Sequence, residues 1–326
     1  MRRLPRSCLL TVVLLAARAS AQEPPPPPPD PPPPPPPSRP HQGRELNGHH
    51  FIPSNIAADP FTSTYFGSQT GFGYLGVTVP ERDGQGKPTG TSHAISLTPF
   101  TQSFGLQIGI LPKYWALRAA VTGLAIAPVT GQTALEFGGQ FGWDVDVGTT
   151  LSFRLGRYVR LGALFDFDYS SNYSFDIAST LTRSLVAGHI DASTLLANST
   201  TAEVRGGLAF AVAPHRSLGL TLAAQYIHDF LSGDRVASSD SGSISFTTAL
   251  DLDLHAVSPV PIGIIGAYSL NAPTSDTSQI THQVGGGIYY TGRRSLVLGP
   301  EVRAILPPGS LSETFVYGVI TLRYYW

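Results

Sequence analysis

The 326-residue sequence predicts an all-β fold: a single antiparallel transmembrane β-barrel of about twelve strands, preceded by a disordered proline-rich segment. Charged residues make up 13% of the chain, about half the usual share of a soluble domain. After the N-terminus no apolar run reaches the roughly 18 residues of a membrane-spanning helix. Strand-like alternation of apolar and polar residues recurs along the chain instead. Because only helices and closed barrels satisfy the backbone in lipid, these observations favour a barrel.

Residues 1–21 have the pattern of a cleaved export signal. Arg2, Arg3 and Arg6 precede an apolar run over 9–17, and the small residues of 19–21 form a signal-peptidase motif. The single cysteine of the chain lies before this cut, so the mature protein is expected to have no thiol, disulfide or thiolate metal site.

Residues 22–42 are predicted to form a proline-rich disordered linker. Thirteen prolines lie between Pro24 and Pro37, interrupted only by Asp30. A polyproline II segment at about 3.1 Å per residue would reach roughly 40 Å, which suits a spacer towards peptidoglycan. The alternative is a disordered leader without a partner. Residues 43–65 lack clean alternation and are expected to be either a periplasmic lead-in or a small plug in the lumen.

The barrel is predicted over residues 66–326, and its clearest element is a hairpin over 135–169. Odd positions from 135 to 155 are apolar, small or hydroxyl-bearing, while most even positions are polar or charged. A strand of this length, about twice the usual one, suits a wall between lipid and water. The twelve predicted strands are 66–79, 95–110, 115–127, 134–155, 158–169, 201–212, 217–230, 244–256, 261–270, 281–290, 295–305 and 314–326. Five short and six long links alternate between them, which is typical of bacterial outer-membrane barrels with both termini in the periplasm.

The last strand carries a separate signal. Leu322, Tyr324 and Trp326 alternate on one face and end the chain on an aromatic residue. This pattern resembles the C-terminal signature of Gram-negative outer-membrane β-barrel proteins. The resemblance implies export to the bacterial outer membrane, contact with its lipid, and recognition of the last strand by the barrel-assembly machinery. It identifies a class of proteins and no particular transporter.

The opposite face of each strand is expected to line a polar lumen. The predicted lumen-lining residues are Glu136, Asp144, Asp146, Arg154, Arg160, Asp166, Asp168, Glu203, Arg205, Asp251, Asp253, Glu301, Arg303 and Arg323. The hairpin register places Asp146 opposite Asp168, two like charges that require neighbouring cations, a shared proton or intervening water. One hypothesis is a water-filled pore with an acidic band (144, 146, 166, 168) and a basic band nearer the periplasm (154, 160, 323). In the alternative, the same side chains form salt bridges in a closed lumen.

Other classes of function are disfavoured. The net charge of −1 gives no basic field for a nucleic-acid partner. No cofactor or metal site is predicted, and Ca²⁺ binding by the aspartates is the alternative. Ser245 and His255 are ten residues apart on one strand, about 33 Å, which argues against a catalytic triad with Asp253. The sequence therefore favours a channel or transporter for small solutes over an enzyme, with a structural or surface-interaction barrel as the alternative.

Overall fold

The computed structural model describes residues 43–82, 88–131, 133–134, 138–175, 196–233, 238–275, 279–306 and 314–326. The predicted export signal and proline-rich linker lie outside these residues. Two short strands, β1 (Glu45–Leu46) and β2 (His49–His50), come first. They are followed by β3 (Tyr65–Arg82), β4 (Pro88–Leu111), β5 (Trp115–Pro128), β6 (Gln140–Leu155), β7 (Val159–Phe175), β8 (Leu196–His215), β9 (Leu218–Gly233), β10 (Ser239–Asp253), β11 (Ile262–Pro273), β12 (Thr281–Arg293), β13 (Leu296–Leu306) and β14 (Thr314–Tyr325).

Within the described ranges, β3 to β14 close into one antiparallel barrel of twelve strands, which confirms the predicted fold class. Each strand pairs with its neighbours in sequence, and β14 closes the barrel against β3. The predicted hairpin register is also present, because Asp146 pairs with Asp168 and Arg154 with Arg160. We call the end that carries Trp326 and the β6–β7 turn the turn end, and the opposite end the loop end.

Several strand boundaries differ from the prediction. The strand expected over 134–155 begins at Gln140, because Gly138 has a positive φ of 62° and the backbone N–H of Ala134 donates to Thr130 in a helical turn. At the loop end, β3 continues to Arg82 and β4 begins at Pro88, so both strands extend beyond their predicted ends into polar sequence. Hydrophobic alternation marks only the part of a strand that meets lipid.

The outer face of the barrel is apolar and carries aromatic residues towards both ends. Tyr158 and Trp326 are exposed near the turn end, and Trp143 and Tyr226 nearer the loop end. On β6, Trp143 and Phe153 are ten residues apart, which at about 3.3 Å per residue and a tilt of about 40° corresponds to about 25 Å. That height is typical of the apolar band of a membrane barrel. In the described part of the chain, no helix is long and apolar enough to cross a membrane.

Residues 43–64, which we call the plug, lie inside the barrel. The plug begins with the hairpin β1–β2, whose turn residues Asn47 and Gly48 have φ values of 51° and 80°. Positive φ at both central positions is the signature of a type I′ turn, for which Asn-Gly is the preferred sequence. The chain then returns through the lumen to Thr64 and enters β3.

Candidate functional site

The lumen is the candidate functional site, and the plug fills its turn end. Gln107 on β4 donates to the carbonyl oxygens of Phe61 and Ser63 at 3.0 and 2.8 Å. Ser152 on β6 donates to the carbonyl of Pro60 at 2.6 Å. Gly162 on β7 leaves room for the same proline, since a Cβ there would lie 2.8 Å from Cβ of Pro60. The wall is thus shaped to the plug at several strands.

A buried ion pair holds the plug together. Nη1 of Arg44 lies 2.8 Å from Oδ2 of Asp59, and its Nε donates to the carbonyl of Phe51 at 3.2 Å. The guanidinium also lies over the Phe61 ring, 4.9 Å from the ring centre. Burial is the largest single influence and would raise the pKa of the Asp59 carboxyl, but the charge and hydrogen bond of Arg44, with smaller contributions from the Arg323 charge and the Phe61 N–H, together hold that pKa below its ordinary value. Asp59 is therefore ionised at neutral pH, and the pair is charged.

A second buried pair joins the plug to the wall. Nε2 of His49 contacts Oδ1 of Asp251 on β10, and both side chains are fully buried. Nδ1 of His49 lies 3.3 Å from the carbonyl oxygen of Arg216. Gly219 on β9 accommodates the imidazole, because any side chain at that position would overlap it. Asp251, predicted to line a lumen, therefore binds the plug.

Asn55 lies at the deep end of the plug and is hydrogen-bonded to several wall residues. Its Nδ2 donates to Thr321 at 2.8 Å and to Glu301 at 3.2 Å. Its Oδ1 accepts from Gln69 at 2.7 Å and from Arg323 at 3.3 Å. Three wall strands, β3, β13 and β14, thus meet at one amide, and the predicted residues 301 and 323 are both among its partners.

Above the plug, midway along the lumen, lies a charge cluster of Arg118, Asp146, Asp166, Asp168, Glu203 and Arg205. Arg118 donates to Asp146 at 3.1 Å and to Asp166 at 2.8 Å. Arg205 donates to Asp146 at 2.7 Å, lies 3.8 Å from Asp168, and pairs with Glu203 at 2.7 Å. The repulsion expected between Asp146 and Asp168 is thus relieved by a shared cation.

The predicted separation of the lumen into acidic and basic bands does not describe this arrangement. Two arginines lie within the acidic band itself, while Arg160 is buried at the turn end, over the Phe61 ring at 5.2 Å. Arg323 contacts the plug, and Arg154 is exposed at the rim, where it donates to the carbonyl of Gly156 at 2.9 Å. The residues of the predicted basic band therefore contact the plug or lie at the rim.

The remaining predicted residues have separate roles. Asp144 is half-buried on the inward face of β6. Asp253 accepts from the backbone N–H of His255 at 3.1 Å and from Thr291 at 2.9 Å, so it caps the β10–β11 connection. Arg303 pairs with Glu301 at 2.9 Å. Glu136 lies outside the described residues.

A cavity of about 430 Å³ remains in the lumen on the loop side of Asn55. It is lined by side chains of β3, β4, β5, β12, β13 and β14. The lining residues are Gln69, Leu75, Pro99, Thr101, Ser103, Thr122, Leu124, Ile126, Gln283, Arg303, Phe315, Tyr317 and Val319. The charge cluster lies on β5 to β8, so the two halves of the lumen wall differ in character.

Sequence reasoning missed Arg118, Arg44 and His49. Arg118 follows the same parity rule as the other lumen residues, since Leu117 and Ala119 beside it face outward, and strict application of that rule would have found it. Arg44 and His49 flank the Asn-Gly dipeptide of the plug, which is a strong short-range hairpin signal. Nothing local in the sequence indicates that this hairpin is enclosed by the barrel.

Comparison with known proteins gives a fold and no family. No family model and no curated protein matches the sequence. The chain is similar to the translocator domain of the autotransporter NalP from Neisseria meningitidis, at 10% identity and a TM-score of 0.53, covering 81% of this chain and 89% of that one. The transport unit of the autotransporter AIDA-I from Escherichia coli matches at 10% identity and a TM-score of 0.47, covering 81% and 90%. The toluene transporter TbuX from Ralstonia pickettii matches at 10% identity and 0.43, covering 87% and 97%.

Proposed function

We propose that this protein is an outer-membrane channel or transporter for small solutes, closed at its periplasmic end by the plug. The observation that carries the proposal is that the barrel closes on itself without the plug. Every strand from β3 to β14 has both neighbours in the wall, and β14 pairs with β3 over twelve residue pairs. The plug can leave the lumen without breaking a strand ladder of the wall.

The lumen behind the plug supports the same proposal. Buried apolar residues close the turn end, among them Leu46, Phe51 and Phe61, whereas the lumen above Asn55 keeps a cavity and a set of partly exposed charged groups. A barrel whose only task was to fill its own interior would have no need of this space. Fixed charges beside a cavity of this size are suited to binding and guiding a small polar or amphipathic solute.

The outer surface supports a membrane location. Its apolar band of about 25 Å with aromatic residues towards both margins matches the outer-membrane type of barrel. Leu322, Tyr324 and Trp326 all face outward, with Tyr324 and Trp326 ring centres 6.3 Å apart. We infer that the turn end faces the periplasm and that lipid and the assembly machinery contact this surface. The role that we propose is that of a channel or transporter and not that of an enzyme.

A permanently closed structural or surface-interaction barrel is the second candidate. It is favoured by the burial of the plug, since Arg44 and His49 are fully buried and paired. The two candidates differ in whether the plug leaves the lumen, and that is measurable.

The experiment is single-channel recording of the refolded full chain in planar bilayers, with a disulfide lock on the plug. An ideal Cβ at Gly48 lies 3.6 Å from Cβ of Arg216, within the disulfide range. We expect wild type to open intermittently, the oxidised Gly48→Cys/Arg216→Cys variant to stay closed, and reductant to restore openings. The reduced variant is the matched control, because it carries the same backbone strain at position 48.

If the oxidised variant still opens, the plug is not the gate. A variant with a loosened plug, Asn55→Ala, loses the hydrogen bonds at the deep end and should open more often than wild type. Absence of conductance in wild type, the reduced lock and Asn55→Ala alike would refute the channel and leave the closed barrel.

A further inference from the structure

We propose that the lumen cavity binds a small amphipathic monoanion, a carboxylate with an apolar body, through Arg303. This inference rests on the proposed function, because it identifies the ligand with the solute that the barrel admits. The cavity volume of about 430 Å³ falls in the roughly 300 to 1,000 Å³ range of small-molecule sites.

The greater part of the cavity wall is apolar. Leu75, Leu124, Ile126, Phe315 and Val319 line it, although their positions on the strands face the lumen and not lipid. The inward face of a water-filled pore is expected to be polar. An apolar inner patch exposed to water is unfavourable unless a ligand covers it, which indicates a solute with an apolar body.

The polar part of the wall supplies one charge. Among the described residues that line the cavity, Arg303 is the one that carries a formal charge, and the others are apolar or neutral polar. Its Nε donates to Glu301 at 2.9 Å, and its two terminal nitrogens carry four further N–H donors in a planar fork. That fork suits the two oxygens of a carboxylate. Thr101 and Gln283 are neutral donors on the same lining.

The charge cluster orients such a ligand. Asp146, Asp166, Asp168 and Glu203 outnumber their two arginine partners, so the β6–β8 side of the lumen repels an anion. A carboxylate is therefore directed to the side that carries Arg303. A ligand with the same apolar body and an ammonium group would instead be attracted to the charge cluster. The sign of the ligand charge that the cavity prefers is therefore testable.

The cavity also shares residues with the plug. Gln69 lines the cavity and donates to Asn55 of the plug at 2.7 Å. Glu301, the partner of Arg303, accepts from Asn55 at 3.2 Å. A carboxylate that competes with Glu301 for Arg303 acts on a hydrogen bond next to the deep end of the plug. Occupation of the cavity and position of the plug are thus linked through two short paths.

The test is calorimetric binding of 4-phenylbutyrate to the full chain in lipid nanodiscs, with empty nanodiscs as the blank. The matched probes are 4-phenylbutylamine and 4-phenylbutanol, which keep the apolar body and change the charge. We expect saturable binding of the carboxylate about tenfold or more tighter than that of either matched probe, the scale of one charge-assisted hydrogen bond.

Arg303→Gln should abolish this preference, and Arg303→Lys should keep part of it, while Arg154→Gln at the rim should leave it unchanged. Phe315→Ala should weaken the binding of the carboxylate and the binding of the alcohol alike. Equal binding of the amine, retention of the carboxylate preference in Arg303→Gln, or no saturable binding by wild type would overturn the inference. If wild type does not bind the carboxylate but shows conductance that the disulfide lock abolishes, this site alone is refuted. If wild type binds the carboxylate but shows no conductance, the proposed channel alone is refuted.

Discussion

Replacing Asp59 by Asn should release the plug, because the change leaves the buried guanidinium of Arg44 without its counter-ion. The two side chains are 2.8 Å apart and both are well shielded from solvent. Breaking a buried ion pair by removing one partner costs about 3 to 5 kcal/mol. If that cost falls on the docked state, the undocked population rises roughly a hundredfold to a few thousandfold, at 1.4 kcal/mol per factor of ten.

Thiol labelling measures this population. Ala57 is 5% exposed in the docked plug, so a cysteine there reacts with an impermeant reagent only after local opening. Since the mature chain is expected to contain no other cysteine, Ala57→Cys provides a clean reporter. The labelling rate of Ala57→Cys/Asp59→Asn should exceed that of Ala57→Cys by a hundredfold or more.

The matched control replaces the whole pair with apolar side chains, Arg44→Met with Asp59→Leu, on the same reporter. Because no unpaired charge remains, this variant should label much closer to the reference than Asp59→Asn does. Equal labelling of Asp59→Asn and the reference would refute the argument that the pair holds the plug. So would a doubly apolar variant that labels as fast as the single one, since the unpaired charge would then not be the cause.

Four further outcomes are expected. Because the Asp59 pKa is lowered in the docked plug, its contribution to docking is fully present above about pH 4 and is lost as the pH falls further. The labelling rate of Ala57→Cys, divided at each pH by the rate for the same cysteine in the unfolded chain to correct for thiol ionisation, should therefore stay flat from pH 8 to 5 and rise below 4. Trp326→Ser should reduce the heat-modifiable folded barrel in membranes if the outward aromatic is read during assembly; unchanged yield would contradict this. Cysteine at Arg293, the last residue of β12 at the turn end, should be protected from an impermeant reagent on intact cells, whereas cysteine at Asp234, outside the described residues, should react. Changing Asp144 and the three aspartates of the charge cluster to Asn leaves the two arginines of the cluster in place. In plug-open channels the reversal potential should therefore move towards anion selectivity. An unchanged reversal potential would place the solute path elsewhere.

The wall of this barrel could be predicted from the sequence because lipid imposes a simple rule on it. Outward positions must be apolar along the membrane-spanning part of every strand, so alternation gives the strand number and the hairpin register. The same rule fails where strands leave the lipid, as at Arg82 and Pro88, because both faces are then polar. It also fails at Gly138, where a positive φ ends a strand that the apolar pattern would continue.

The interior could be predicted only in part. Parity predicts which charged residues share a strand face, but their partners depend on which strands approach across the lumen and on what fills it. Asp251 pairs with His49, which is 202 residues away in sequence, and Glu301 meets Asn55, which is 246 residues away. Such pairs leave no periodic signal. The Asn-Gly turn at 47 and 48 predicts a hairpin, but its position inside the barrel follows only from the closed wall.

The fit between plug and wall leaves a trace in the tolerance of the barrel to substitution. A side chain at Gly162 would collide with Pro60, and one at Gly219 with His49, whereas no heavy atom of the described chain lies within 4 Å of a Cβ built at the outward Gly266. Alanine at either of these inward positions therefore collides with the docked plug, and departure of the plug would relieve that collision. In living cells, the tolerance of these glycine positions to alanine would report how much of the time the plug occupies the barrel.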